Sequence, residues 1–240
     1  MRSKNKFIKI SCDGGAATGK STGAKMIAKK YKLKFLSSGL LYRYASFLIL
    51  KYKPKNNVNF LKTKFKRLNY KKLERISLHT PEISKHSAII AKINKVRIIL
   101  KKFQTNFSKK NKNCCIEGRD ISTKILPNSD LKFYFKCNLN TAAFRRFKEL
   151  KKKNPKIKLK DVKKALRIRN LSDMKRKNSP LLRHRDSVEI DTGRLDKSAM
   201  LAKMAKNVER ILKTKYVNWT RTKRIKSFTS RVSKPVRSRL

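Results

Sequence analysis

The chain has 240 residues, enough for one good-sized domain with its own hydrophobic core. Its 67 lysines and arginines against 14 acids give a formal net charge of +53, yet 39% of residues are hydrophobic and recur with helix and strand periods, which excludes a mostly disordered chain. No apolar run reaches the roughly 18–20 residues of a membrane span and the start has no apolar stretch of secretory length, so a soluble cytoplasmic protein with no membrane partner is expected.

In chain order, Phe7–Cys12 reads as a short buried strand, followed by the glycine-containing turn DGGAATGKS and a helix through Tyr31. A second strand at Lys34–Leu36 leads through SSG into a helix from Leu40 to Tyr52, closed by Pro54. Asn56–Leu78 is basic and weakly patterned and reads as an irregular insertion. Thr80 as cap and Pro81 at the first helical position start a helix to Lys92, and another runs from Lys95 to Phe107. Strands follow at Cys114–Ile116, Leu131–Phe135 and Val188–Ile190, with basic helices at Thr141–Lys153 and Leu159–Ile168 between the last two. A final helix covers Ser198–Lys213, and 216–240, basic and free of acids, reads as a flexible tail. Strands alternating with helices predict an α/β fold of the P-loop NTPase type: a five-stranded parallel sheet with helices on both faces.

Four cysteines, Cys12, Cys114, Cys115 and Cys137, lack CxxC spacing and read as packing residues, and His79, His86 and His184 are scattered, so neither type is assigned a metal. The few acids are more informative. Asp13, Glu117, Asp120, Asp173, Asp186 and Asp191 all sit in or beside the motifs that follow.

Gly14–Ser21, GGAATGKS, matches G-x-x-x-x-G-K-[ST] in every fixed position, between a predicted strand and a predicted helix. Such a loop turns backbone N–H groups inward around a polyphosphate at a helix N-terminus. Lys20 would neutralise β/γ-phosphate oxygens and the Ser21 hydroxyl would help place Mg2+. The third strand ends in EGRD, Glu117 to Asp120, where a carboxylate can hold metal-bound water and Arg119 can contact a phosphate bidentately.

Taken together, ISCDGGAATGKST, FLSSGLLYR, HTPEI, Val96–Arg97, EGRDISTKILPNSDLKFYF, IRNLSDMKRKNSPL and VEIDTG resemble bacterial cytidylate kinase, in that order and over residues 6–213. The resemblance implies transfer of the γ-phosphoryl group of ATP to CMP or dCMP with Mg2+. Gly14, Gly15, Ala16, Ala17, Thr18, Gly19, Lys20, Ser21 and Thr22 would hold ATP. Ser38, Arg43, Arg97, Arg119, Asp120, Arg169, Asp173 and Arg176 would hold the acceptor. Arg145 and Arg146 would close on ATP, and Lys20, Arg119, Asp120 and both of those arginines are the expected catalytic set. Ser21 would touch the metal directly, Asp13 and Asp120 through water. It further implies a core interrupted by a monophosphate-binding insertion at 55–112 and a helical lid at 145–178, with core segments at 1–54, 113–144 and 179–215, acting as a monomer.

The chain departs from the pattern at Ser37 (usually Asp), His79 (usually Arg), Ala88 (a CMP-contacting Ser) and Asn170 (an acid), and its insertion is short and without clear alternating strands. Two other functions fit parts of the chain. One is a pyrimidine monophosphate kinase open to UMP or dTMP. The other is an RNA-binding protein with a relic phosphate loop, for which the basic tail around Trp219 offers an aromatic among cations.

Overall fold

The computed structural model describes residues 7–152 and 154–232. Five parallel strands, β1 (Lys9–Gly14), β2 (Lys34–Ser37), β3 (Cys114–Gly118), β4 (Leu131–Lys136) and β5 (Val188–Asp191), form one sheet in the order β2-β3-β1-β4-β5. Register aligns their carboxyl ends: Asp13 lies opposite Gly118, Gly14 opposite Phe135 and Ser37 opposite Glu117. In open parallel sheets ligands bind outside those ends, where neighbouring strands send their connections to opposite faces.

Strand alternation sorts the side chains. On one face Ile8, Ile10, Cys12, Cys115, Phe133 and Phe135 pack against α1 (Lys20–Lys30) and the Met200, Met204 and Val208 stripe of α8 (Lys197–Val232). On the other, Leu36, Cys114 and Ile116 meet α2 (Ser38–Tyr52), α3 (Asn57–Lys66) and α5 (Asn94–Lys110). Burying each of Phe133 and Phe135 contributes about 1.5–3 kcal/mol. The same alternation turns Ser11 and Asp13 away from the first core, Ser11 onto the Ser129 hydroxyl and Asp13 onto the short π-type turn Ile121–Ile125.

The stretch 56–78 is helical, not irregular. Asn56 caps α3 through the N–H groups of Val58 and Asn59, Leu61 and Phe65 bury, and a 3-10 helix follows at Tyr70–Arg75. Next comes α4 (Pro81–Ile90), where the Thr80 hydroxyl accepts from Ile83 N–H as the sequence predicts. Across 55–112 the described elements are helical, with no strand. After β4, α6 (Leu139–Lys151) and α7 (Leu159–Lys175) form an antiparallel pair around Ala142, Ala143, Val162 and Leu166, and α7 is a full two turns longer than expected. The backbone of α8 continues as helix through Val232, past the expected end at Lys213; residues 233–240 of the expected tail lie outside the described residues. Of the cysteines, three are buried and Cys137 is half-buried. No helix among the described residues is long and apolar enough to cross a membrane.

Candidate active site

The phosphate loop leaves β1 at Gly14, where a Cβ would lie 2.4 Å from the Phe135 carbonyl oxygen and the φ of 155° excludes other residues. It re-enters a helix at Gly19, left-handed with φ 74°. No side chain caps α1 and no acid occupies its first turn, so its N-terminal N–H groups stay open to an anion. Two tethers hold the loop between these glycines. Ala16 N–H donates to Asn170 Oδ1 at 2.9 Å, and the Thr192 hydroxyl donates to the Thr18 carbonyl at 2.9 Å. Ala16 and Ala17 also pack against the α6–α7 core.

Lys20 is buried and donates to Glu117 Oε2 at 2.7 Å. The Ser37 hydroxyl donates to the other oxygen, Glu117 Oε1, while accepting from Leu40 N–H as the cap of α2. Burial opposes ionisation of Glu117, but the Lys20 ammonium, the Ser37 hydroxyl and Arg119 bring its pKa down to about 2. Burial lowers that of Lys20, with Glu117 holding it up. Ser21 and Thr22 follow in the first turn of α1, exposed.

Beyond Glu117 the carboxyl end of β3 opens onto a cluster of arginines threaded by two buried acids. Arg97 from α5 pairs with Asp120 Oδ2 and donates to the Ala91 carbonyl at 3.0 Å. Arg119 Nε donates to Asp173 Oδ2 at 2.8 Å; Arg169 Nε stands 3.7 Å from the same oxygen. Arg176 joins both acids, 3.3 Å from Asp173 Oδ1 and 3.9 Å from Asp120 Oδ1. Asp173 stays below the usual carboxylate range although burial pushes it up, because Arg119 and Arg169 flank it. Arg43 reaches in from α2, brought down to about 10 by burial and by Arg169 and Arg119. Six cations (Lys20, Arg43, Arg97, Arg119, Arg169, Arg176) thus share three carboxylates (Glu117, Asp120, Asp173). Arg43 Nε, Arg169 Nε and Arg176 NH2 are buried without a hydrogen-bond acceptor. Buried donors that make no hydrogen bond beside excess positive charge are a socket for an anion.

Sequence-expected residues from five separate stretches of chain are therefore in one place. Ser38 is buried beside them, its Cβ 3.1 Å from where a Cβ on Gly118 would stand. Four of the expected residues are engaged by protein groups. Asp13 is fully buried and accepts from Ile121 N–H, Ser122 N–H and the Ser122 hydroxyl at 2.6–2.8 Å; burial pushes it up to about 6. It anchors the turn after β3. Asp120 is likewise enclosed by Arg97 and Arg176, so its carboxylate organises arginines. Arg145 donates to Thr192 at the carbonyl (2.7 Å) and the hydroxyl (3.1 Å), so it reaches the phosphate loop only through Thr192. Arg146 pairs with Glu149 on its own helix.

Four residues outside the expected set belong here: Ser37, Asn170, Thr192 and Tyr70, whose hydroxyl accepts from Ser37 N–H at 2.8 Å. The first three lie inside SSG, IRNLSD and VEIDTG, so the motifs contained them without showing which side chain was used. Tyr70 had no sequence signal, since its helix was not expected. A groove of about 470 Å³ lined by Lys92, Leu171, Lys175 and Arg176 lies at the outer end of α7 and touches the cluster through Arg176 alone.

No group of three His, Cys, Asp or Glu side chains among the described residues is arranged to hold a metal ion. The free hydroxyl of Ser21 at the helix start fits an ion that arrives with its own phosphate and water ligands, as Mg2+ usually does.

A family model described as cytidylate kinase matches residues 10–210. A cytidylate kinase from Mesomycoplasma hyopneumoniae (strain 7448) is 32% identical over 220 residues, spanning 85% of this chain and 95% of its own. One from Bartonella tribocorum (strain CIP 105476 / IBS 506) is 32% identical over 209 residues, with the same coverage. Among solved structures, an uncharacterized protein from Eubacterium ventriosum ATCC 27560 superposes with a TM-score of 0.51 at 14% identity, covering 84% of this chain and 98% of that one; this likeness bears on the fold alone.

Proposed function

The chain belongs to the cytidylate kinase family and is a nucleoside monophosphate kinase acting on CMP with ATP as donor, and from that premise we propose how its residues divide the work. The observation that carries the division is the meeting of two anion sites across Glu117: an open helix N-terminus with Lys20 on one side, and unsaturated guanidinium groups on the other.

The loop Gly14–Thr22 receives the ATP phosphates on its backbone N–H groups, and Lys20 swings from Glu117 onto the β/γ oxygens. Glu117 holds the ammonium in place beside the loop. Mg2+ carried by the nucleotide would rest on Ser21 and neutralise phosphate charge. Arg43, Arg119, Arg169 and Arg176 take the acceptor phosphate, their spare donors meeting its oxygens. Asp120 and Asp173 fix the forks of those arginines, and Ser38, Arg97 and Asp120 border the nucleoside. An acceptor phosphate oxygen attacks the γ-phosphorus as the bond to the β,γ-bridging oxygen breaks, releasing ADP. The residues need supply only in-line placement and charge, since phosphoryl transfer requires little proton chemistry.

On this reading the core holds the donor, 55–112 is the acceptor-binding insertion built from helices, and α6–α7 is the lid. Asn170 on Ala16 and Arg169 on the Ser84 carbonyl join the lid to both sides at once, which excludes water from the reacting phosphates. Coupled ADP release with CMP, dCMP, UMP, dTMP and AMP tests the acceptor: CMP and dCMP should lead by at least about tenfold in kcat/KM, a little over 1 kcal/mol. Equal rates with AMP would overturn the pyrimidine assignment.

A further inference from the structure

Six described serine and threonine hydroxyls within the helices return a hydrogen bond to a carbonyl three or four residues back: Ser46 to Tyr42, Thr63 to Asn59, Ser87 to Ser84, Thr105 to Lys101, Ser108 to Thr105 and Thr214 to Arg210. Ser84, in α4, does not. Its hydroxyl oxygen is buried and has no partner, although the Thr80 carbonyl, already accepting from Ser84 N–H at 3.0 Å, is in the usual place. A buried hydroxyl without a partner costs about 1–3 kcal/mol.

Its surroundings suggest what it is kept for. The Ser84 carbonyl accepts from Arg169 NH1 at 3.0 Å, so this residue is in direct contact with one of the guanidinium groups whose Nε also makes no hydrogen bond. Arg169 in turn stands 3.7 Å from Asp173, the acid shared with Arg119 and Arg176. The serine is thus the only α4 side chain whose backbone is tied by a described hydrogen bond into the arginine cluster.

We propose that Ser84 is an acceptor-binding residue, its hydroxyl donating to an oxygen of the nucleoside monophosphate's phosphate beside Arg169. This rests on the kinase reading above. An oxyanion is the matching partner because the Arg169 guanidinium, tied to this residue through its carbonyl, has only N–H donors and offers the hydroxyl proton nothing to bind, while the other unpartnered atom of α4, His86 Nδ1, is two positions on and about 200° around the helix. The contact belongs to the phosphate end and is blind to the base.

The full-length chain and its Ser84→Ala and Ser84→Thr variants test this by steady-state kinetics with CMP and dCMP, and by the shift in melting temperature that CMP produces. A hydrogen bond to a charged group predicts that Ser84→Ala raises KM for CMP and dCMP by about tenfold each, leaving the KM for ATP and kcat within about threefold. Ser84→Thr, which keeps the hydroxyl, stays near wild type. Without ligand Ser84→Ala melts at the same or a higher temperature, because it removes an unpaired buried hydroxyl, and its CMP-induced shift is smaller. A structural hydroxyl would give the opposite: lower ligand-free melting with an unchanged KM. Unchanged KM, a rise confined to one of the two acceptors, or an equal rise for ATP would overturn the proposal. A wild-type chain that turns over no pyrimidine monophosphate would instead overturn the kinase reading, and the CMP-induced melting shift would still report on Ser84.

Discussion

At the residue scale, the Lys20–Glu117 pair holds a charge in readiness at a cost. Both groups are buried, and a buried ion pair stabilises only while both members remain. Glu117→Gln should therefore destabilise the fold by about 3–5 kcal/mol near neutral pH, read from urea unfolding. The folded carboxyl titrates at about 2, below its usual 4.5, so its contribution is complete above 4.5 and is lost as pH falls toward 2. The difference between wild type and Glu117→Gln should accordingly narrow between about pH 5 and pH 3; a difference that stays constant across that window would show that Glu117 is not held ionised by Lys20. The scarcity of acids made Glu117, Asp120 and Asp173 visible in the sequence as residues with work to do. It could not separate metal-water ligands from partners of arginine, because that depends on which side chains arrive from elsewhere. Asp13 shows the point: the strand period puts it on one face of β1, and only the turn at Ile121 and Ser122 decides what meets it there.

At the element scale, α6 and α7 form a small body of their own. Their contacts with the loop run through Ala16, Ala17 and Asn170, and their internal core is small. Truncating Leu166 to Ala should cost about 2–5 kcal/mol within this pair. Since the sheet has separate cores, the loss should appear as faster hydrogen exchange in 139–175 with the β-strands unchanged, together with a fall in kcat. Faster exchange spread evenly over the strands would mean that the hairpin and core open as one unit. Strands and most helices were legible because apolar residues alternate or recur every third and fourth position. The stretch 56–78 was not, although Val58, Leu61 and Phe65 recur at helical spacing, because lysines and arginines run through the whole stretch and α3 is only ten residues long. Its cap, Asn56, was present but is indistinguishable from a turn residue until the chain beyond it is known.

At the scale of the whole molecule, parallel register brings distant segments to one edge. Gly14, Ser37 and Gly118 end three adjacent strands, and the connections after them carry the phosphate loop, the α2 arginine and Arg119 with Asp120. Motif order made the members readable, while their meeting point depends on the strand order β2-β3-β1-β4-β5, which no local pattern specifies. The high positive charge fits two anionic ligands in one cleft, but charge alone raises the concentration of any polyanion equally. On the proposed division of the site, the decisive property is that both nucleotides are held head to head. A compound joining the 5′ ends of adenosine and cytidine through a polyphosphate chain tests this by steady-state inhibition, because one molecule would fill both sites at the affinity gained by linkage. It should compete with ATP and also with CMP; competition with one substrate and not the other would show that the phosphate loop and the arginine cluster serve separate ligands.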